Sequence, residues 1–195
     1  VNKGDKIALI SKNDLATSAL YEILNGISKP DTGDFKFGQT ITTGYLPNEN
    51  EEFFKEKQSL IEWLRQFSSN KDEVFIRGFL GKMLFSGEET FKMANVLSGG
   101  EKVRCMISRM MLKGGNFLML DEPTNHLDLE SIQAFNNALI NFKGTVIFTC
   151  HDHHFTQTVA NRIVEITPNG CLDKLMTFDE YISSPKIKEQ KELLC

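Results

Sequence analysis

The sequence predicts an α/β domain in which helices flank a mostly parallel sheet and a helical segment is inserted. Three short apolar runs, residues 7–10, 117–120 and 145–150, are typical of buried parallel strands. Segments with apolar residues at helical spacing alternate with these runs, as in sheets covered by helices on both faces. Ligands of such sheets bind at the carboxyl ends of the strands, so the residues that follow the three runs are the candidates for function.

The composition is that of one globular domain with a sizeable core. The chain has 195 residues, of which 41% are hydrophobic and 25% charged. Its 22 basic and 26 acidic residues give a net charge of −4, which argues against a broad basic face for nucleic acid but leaves room for a local patch. No apolar run approaches the roughly 20 residues that span a bilayer. We therefore expect a cytoplasmic protein that would reach a membrane only through a partner chain.

The cysteines lack the spacing of a metal or redox site. None belongs to a CxxC pair, and Cys105 and Cys150 lie in apolar stretches that predict burial. We expect reduced thiols, as in cytosolic proteins, for all four: Cys105, Cys150, Cys171 and Cys195.

A strand, a loop and a helix begin the chain, in the order that a phosphate-binding loop requires. The strand covers residues 6–10 and the loop residues 11–16. Apolar residues then recur at helical spacing until an Asn-Gly pair at 25–26 ends the helix. Because the chain opens at Val1, almost directly on a strand, we interpret it as a fragment that lacks one or two N-terminal strands.

Two further strands and a loop are predicted before the inserted segment. Residues 34–37 and 40–45 have the pattern of short strands around Gly38. The polar, acidic stretch 48–56 predicts a loop.

The inserted segment is predicted to be helical. Ser59 and Glu62 form a capping-box pattern ahead of an apolar helical face, and residues 73–85 predict a second helix. These features divide the chain into a core of residues 1–47 and 98–184, a helical subdomain of about residues 48–97, and a charged tail of residues 185–195. We expect the tail to be solvated or to begin an extension.

The second half of the core predicts two helices and a hairpin. The first helix follows Ser98 and ends at a Gly-Gly pair at 114–115, and the second carries apolar residues at helical spacing between 132 and 142. Residues 163–167 and 171–175 flank a Pro-Asn-Gly turn, which predicts a hairpin.

Two acidic residues directly follow the second apolar run. Asp121 is suited to hold Mg²⁺, and Glu122 can polarise an attacking water. A bare acidic pair would more often cap the next helix. The residues that follow, Pro-Thr-Asn-His-Leu-Asp at 123–128, make the catalytic interpretation far more specific.

The residues Ser98, Gly99 and Gly100 lie where a helix begins. Paired glycines let backbone N–H groups approach an anion, and the helix N-terminus favours negative charge. The same triplet alone would also fit a linker turn. Its place about twenty residues before Asp121 favours the anion-binding interpretation.

His151 follows the third apolar run and could contact a terminal phosphate. With His153 and His154 it forms a cluster that could also suggest a metal. We do not favour a metal, because a helix beginning here would point the three rings apart, and the chain has no CxxC or HExxH motif.

The motifs LSGGEKVR at 97–104 and LDEPTNHLD at 120–128, in this order, resemble the ABC ATPase family over essentially the whole chain. The resemblance implies a P-loop NTPase-like fold, the ABC nucleotide-binding domain, with ATP and Mg²⁺ as cofactors. The EPTNHLD form resembles the ABC-F subfamily, whose cytosolic members carry two such domains in tandem and often act on ribosomes. We expect the second, C-terminal domain of such a protein, paired head to tail with the first.

The resemblance also implies roles for individual residues. Glu122 and His151 match the catalytic glutamate and the switch histidine, and Ser18 and Asp121 match the metal ligands. Asn48 stands about where the family has a glutamine that senses Mg²⁺ and water. The residues that the family pattern places on nucleotide are Ser11, Asn13, Ala16, Thr17, Ser18, Asn48, Leu97, Ser98, Gly99, Gly100, Glu101 and Asp128.

The phosphate loop departs from the family pattern GxxxxGK[ST]. Ser11 and Ala16 replace its two glycines, Thr17 replaces its lysine, and Ser18 alone is retained. Asp14 adds a carboxylate that should repel phosphate. A charge-assisted bond of the kind that the lysine makes is worth roughly 1.5–3 kcal/mol. The sequence therefore predicts that this domain binds ATP weakly at its own loop and lends its LSGGE motif to the ATP site of a partner domain.

Three functional classes follow from these features. The first is half of a soluble ATPase that couples nucleotide closure to movement on a ribosome. The second is the nucleotide-binding domain of a membrane transporter. The third is a non-catalytic domain that pairs with or regulates another module, which the altered loop favours and Glu122 opposes.

Overall fold

A computed structural model of the chain, which describes residues 1–194, contains one six-stranded sheet with the spatial order β2-β3-β4-β1-β5-β6. Its strands are β1 (Lys6–Ser11), β2 (Thr43–Leu46), β3 (Phe117–Asp121), β4 (Thr145–Thr149), β5 (Arg162–Thr167) and β6 (Gly170–Lys174). All neighbours are parallel except β5 and β6, which form the predicted antiparallel hairpin. The predicted α/β fold class is confirmed.

Eight α-helices accompany the sheet in residues 1–194. They are α1 (Asp14–Leu24), α2 (Leu60–Arg65), α3 (Glu73–Lys82), α4 (Gly99–Leu112), α5 (Leu129–Asn141), α6 (His153–Val159), α7 (Phe178–Ser183) and α8 (Pro185–Leu194). Three 3₁₀ helices, Glu51–Phe54, Gly87–Phe91 and Ala94–Val96, lie on either side of α2 and α3.

The sheet separates two apolar cores. Ile7, Leu9, Met119 and Ile147 point to the face that α1 covers, where Tyr21 is fully buried. Alternate residues of the same strands, such as Phe148 and Leu120, point to a larger core that also contains the buried residues of α2 to α6. Because side chains alternate along a strand, each of these buried strands contributes to both cores.

The prediction of a strand at residues 34–37 is wrong, and the next strand is shorter than predicted. Residues 34–37 have no ladder partner in the described chain, and the Phe37 ring instead packs edge-on against Phe117 at 5.4 Å between centroids. Residues 40–42 stay irregular because the Asn116 side chain bonds the backbone of Thr40 and Thr42. Regular pairing begins only at Thr43.

The inserted segment is helical, with three differences from prediction. The expected loop 48–56 contains the 3₁₀ helix Glu51–Phe54, and α3 ends at Lys82 because Leu84 adopts a left-handed φ of 63°. The Ser59 hydroxyl accepts a bond from the Glu62 amide at 3.3 Å, but the Glu62 carboxylate pairs with Arg65. Only half of the predicted capping box is therefore formed.

The charged tail is not simply solvated. Residues 185–194 form α8, whose Ile187 is buried and whose Lys191 ammonium lies 2.5 Å from the buried carboxylate of Glu165 in β5. The Tyr181 hydroxyl of α7 donates to the same carboxylate at 2.7 Å. The apolar and ionic contacts together hold α8 on the domain. Cys195 lies outside the described residues.

Candidate functional site

The carboxyl ends of β1, β3 and β4 meet at one edge of the sheet because these three strands are parallel neighbours. Beside this edge lies a cleft of about 420 Å³. The predicted site residues that line it are Ser11, Thr17, Ser18, Asn48, Asp121, Glu122 and His151, joined by Asp14, Asn125, Thr149 and Cys150. Asn13 and Ala16 of the phosphate loop do not line it, and neither do the predicted nucleotide-binding residues outside that loop other than Asn48, which are Leu97, Ser98, Gly99, Gly100, Glu101 and Asp128.

Asp121 is buried at the base of the cleft, with 6% of its surface exposed. The Thr149 hydroxyl donates to its Oδ1 at 2.9 Å, and the Ser18 hydroxyl donates to its Oδ2 at 3.2 Å. Burial raises the pKa of Asp121, and the two hydroxyl bonds oppose that rise. No sequence motif marks Thr149. A polar residue at the end of the strand beside Asp121 is the signal that could have found it.

The donor set around Asp121 fits Mg²⁺. A carboxylate and the Ser18 hydroxyl lie together, and Mg²⁺ takes few protein oxygens and completes its shell with water and phosphate. Within residues 1–194 no group of three His, Cys, Asp or Glu side chains is arranged to hold a metal without such help. Ser18 and Asp121 are therefore the residues that would hold the ion beside a nucleotide.

Glu122 adopts a left-handed backbone, with φ of 48°. Its amide donates to the Thr149 hydroxyl at 3.0 Å, and its carboxylate accepts from the His151 amide at 3.3 Å. The His151 imidazole Nε2 lies 3.5 Å from the other carboxylate oxygen. Burial raises the pKa of Glu122, and His151 opposes the rise. A carboxylate held beside an imidazole at the mouth of a cleft can accept a proton from a water molecule.

The phosphate loop bonds several of its own backbone amides. The Ser11 hydroxyl accepts from the Asn13 backbone amide at 3.0 Å, and the side-chain carbonyl of Asn13 accepts from the Leu15 amide at 3.1 Å, which makes Asn13 the N-cap of α1. The Thr17 hydroxyl donates back to the Asp14 carbonyl at 2.8 Å. Two amides at the start of α1 are thus already bonded to side chains.

The cleft is poorly suited to phosphate. In the described chain its lining contains no lysine or arginine but three carboxylates, those of Asp14, Asp121 and Glu122. With Thr17 in the lysine position, the lining offers no fixed positive charge to oppose them. The residues present therefore fit Mg²⁺ but do not fit the triphosphate that would accompany it.

The LSGGE segment lies apart from this cleft, at the start of α4. Ser98 is the N-cap: its hydroxyl accepts from the Glu101 amide at 3.3 Å, and the Glu101 carboxylate accepts from the Ser98 amide at 2.8 Å. Lys92 holds the same carboxylate at 2.7 Å, and Leu97 is buried. The segment is therefore a capped helix terminus and not a linker turn.

A second cleft of about 700 Å³ opens beside the start of α4. Its lining includes Gly99, Lys102, His126 and Asn48, so Asn48 borders both clefts. The predicted signature residues thus stand on a different surface from Asp121 and Glu122.

Residues 125–128 form a tight loop between the two clefts. The Asn125 amide donates to the Glu122 carbonyl at 3.1 Å, and the Asn125 side chain donates to the Asn48 side-chain carbonyl at 3.2 Å. Asp128 is the N-cap of α5, because its carboxylate accepts from the Ser131 amide at 2.8 Å. That bond lowers the pKa of Asp128. Asp121 and Glu122 therefore do not cap α5, which removes the simpler explanation of the acidic pair.

The histidines face different partners. While His151 faces Glu122, the His153 Nε2 lies 3.0 Å from an oxygen of Asp179, and its ring contacts Phe178.

No helix within residues 1–194 has the length and apolarity to cross a membrane.

Comparisons with known proteins agree with this architecture. The family described as "ABC transporter" matches residues 1–125. The chain is 55% identical over 192 residues to the "Uncharacterized ABC transporter ATP-binding protein YkpA" of Bacillus subtilis (strain 168), covering 97% of this chain and 36% of that protein. It is 31% identical over 197 residues to "ABC transporter F family member 2" of Arabidopsis thaliana, covering 99% of this chain and 29% of that protein.

The chain thus spans about a third of the length of these relatives. A solved complex of the archaeal ribosomal stalk protein aP1 with the archaeal ribosome recycling factor aABCE1 shares the fold, with a TM-score of 0.76 at 22% identity. That match covers 99% of this chain and 43% of the other. Fold, motif order and sequence similarity agree, and the chain belongs to the ABC transporter family as an ATP-binding domain.

Proposed function

We propose that this chain is the second ATP-binding domain of a soluble, tandem ABC-F type ATPase. In this proposal its own phosphate loop is degenerate, and its LSGGE segment completes the ATP site of the partner domain in a head-to-tail pair. The observation that carries the proposal is the contrast between the two surfaces. The loop before α1 has side chains at both glycine positions and borders a cleft with three carboxylates, whereas the start of α4 keeps two glycines at a helix terminus, which suits an anion.

Within the domain's own cleft, the residues suited to Mg²⁺ and water are retained, and the residues suited to phosphate are replaced. Ser18 and Asp121 would hold Mg²⁺, Glu122 would orient water, and His151 would position that glutamate. Thr17 and Ala16 replace the groups that would hold phosphates. We propose that ATP binds here weakly or without turnover, and that hydrolysis by the longer protein depends on the partner's loop.

We further propose a cytoplasmic protein that works on the ribosome. The support is the similarity to an F family member, the structural likeness to a ribosome recycling factor, and the EPTNHLD form of the 122–128 segment. Sedimentation of the longer protein with ribosomes, and not with membranes, is the expected result. Exclusive recovery with membranes would instead favour the second candidate, the nucleotide-binding domain of a transporter, which the family's description supports.

The third candidate, a non-catalytic pairing or regulatory domain, draws on the same altered loop. It differs from the main proposal in the role of Ser98. We expect Ser98→Asp in the tandem protein to abolish ATP turnover, because aspartate caps helices as well as serine but repels phosphate. Ser86→Asp is the control, since Ser86 stands at the N-cap of the 3₁₀ helix Gly87–Phe91 and its amide donates to the Glu89 carboxylate, as the Ser98 amide does to Glu101.

Retained ATP turnover with Ser98→Asp would contradict the proposed role of the signature segment. Because aspartate preserves the cap, the melting temperature of the variant should stay within a few degrees of the wild type. A loss of turnover with that stability would exclude misfolding as the cause.

A second experiment tests the degenerate loop in the chain itself. We expect isothermal titration with Mg²⁺ and ATP to give a dissociation constant well above the micromolar range. The triple change Ser11→Gly, Ala16→Gly and Thr17→Lys should tighten binding by roughly 10-fold to 150-fold, which corresponds to the roughly 1.5–3 kcal/mol of one charge-assisted bond. Micromolar affinity in the unmodified chain would overturn the proposal.

A further inference from the structure

We infer that Asn48 and Asn125 position the signature segment for the partner's nucleotide, through one amide–amide hydrogen bond between the wall of the domain's own cleft and the 125–128 loop. The inference rests on the proposed role of LSGGE. It assigns these two residues a positioning role, not contact with a reacting atom.

The first step is the hydrogen bond itself. The Asn125 side-chain amide donates to the Asn48 carbonyl at 3.2 Å, although the two residues are 77 positions apart in the chain. Asn48 follows β2 and leads into the inserted helical segment, whereas Asn125 follows Glu122. The bond therefore connects the entrance of the helical segment to the loop that begins at the acidic pair.

The residue after Asn125 packs against the start of α4. The next residue, His126, adopts a left-handed φ of 66°, which turns its backbone toward α4. A Cβ placed on Gly100 would lie 2.4 Å from the His126 carbonyl oxygen, and one on Gly99 would lie 3.1 Å from the His126 Cβ. The glycines thus pack closely against the loop, and we expect a shift of His126 to move the start of α4.

These contacts explain the asparagine at position 48. The side chain borders both clefts, and its carbonyl is occupied by Asn125. Asn48 therefore links the wall of the domain's own cleft to the 125–128 loop. Through that loop, a change in the cleft would reach the start of α4, the surface that the proposal assigns to the partner's nucleotide.

The test uses amide hydrogen exchange of the chain alone, without nucleotide or partner. We expect Asn48→Ala and Asn125→Ala each to raise the exchange rate of the amides at 99–102 at least threefold, and the double variant to raise it no further. Two changes that remove one shared bond are not additive. Asn141→Ala is the matched control, since it removes an exposed asparagine amide bonded only to the Asn137 carbonyl in α5.

Unchanged exchange at 99–102 would overturn the inference, and so would additive effects in the double variant. Both outcomes are independent of the proposed function, because neither needs ATP. In the tandem protein the same variants should raise KM for ATP severalfold while kcat changes less than twofold. Altered exchange with unchanged KM would also overturn the positioning role, since the bond would then be merely structural.

Discussion

At the scale of single residues, the main result is that Thr149 connects the two acidic residues of the site. Its hydroxyl donates to Asp121 and accepts from the Glu122 amide, so one side chain fixes a buried carboxylate and a strained backbone together. The motif at 120–128 identified Asp121 and Glu122 from sequence alone. It could not identify Thr149, because that residue comes from β4, and only the parallel pairing of β3 with β4 places it opposite Asp121.

Replacing Thr149 tests this role. Thr149→Val keeps the shape but removes the hydroxyl, so one oxygen of a buried carboxylate loses its donor. We expect the free energy of unfolding to fall by about 1–3 kcal/mol, measured by urea denaturation. Thr149→Ser keeps the hydroxyl and should lose less than half as much. Equal losses for valine and serine would show that packing, not the hydroxyl, is responsible.

Glu122 gives a prediction about pH. Burial raises its pKa in the folded chain, so between its ordinary value and the raised value the folded state binds more protons than the unfolded state. The contribution of Glu122 to stability therefore falls as the pH rises through that window. We expect Glu122→Gln to melt higher than the wild type at pH 7.5, by no more than about 4 °C.

The difference should shrink toward zero near pH 4, where the wild-type carboxyl is also neutral. Differential scanning fluorimetry over pH 4–8 would measure it. A difference that is constant over this range would mean that the charge of Glu122 is not its cause.

At the scale of elements, apolar runs and turn residues predicted the central strands and the hairpin well, and they predicted residues 34–37 and the C-terminal helix poorly. The strands β3 and β4 and the hairpin β5–β6 lie where apolar runs and the Pro-Asn-Gly turn predicted them. Residues 34–37 have a strand-like pattern but no partner to pair with in the described chain. The pattern of residues 185–194 predicts a solvated tail because only Ile187 interrupts the charged residues at the start of α8. The ionic partner of Lys191 in this helix is the buried Glu165, which is distant in sequence.

The ion pair between α8 and β5 can be tested by removing its cation. Lys191→Met leaves the Glu165 carboxylate buried with the Tyr181 hydroxyl as its remaining donor. Because Lys191 is partly exposed, we expect a loss of about 1–3 kcal/mol in unfolding free energy, less than for a fully buried pair. Limited proteolysis should then cut first between α7 and α8. Lys188→Met, an exposed lysine on the same helix, is the control and should change neither measurement.

At the scale of the whole molecule, the sheet order accounts for why one chain presents two separate candidate surfaces. The parallel neighbours β3, β4 and β1 bring Asp121, Thr149 and Ser11 to a common edge, whereas the inserted helical segment and α4 carry LSGGE to another face. Fold class and motif residues could be predicted because the motifs are local in sequence. The division into two clefts could not, because it depends on how the 125–128 loop packs against Gly99 and Gly100.

The bonds from Ser11 and Asn13 to backbone amides have a practical consequence for ligand screening. An amide that is already bonded to a side chain gains little from an added anion, and the shift in melting temperature caused by a ligand depends on how far its concentration exceeds the dissociation constant. On the proposal that this loop holds ATP weakly, we expect a thermal-shift screen of this domain by itself to score nucleotides as inactive compounds. A screen for regulators of the proposed two-domain assembly would present both domains at once, so that the surface at the start of α4 takes part in the readout.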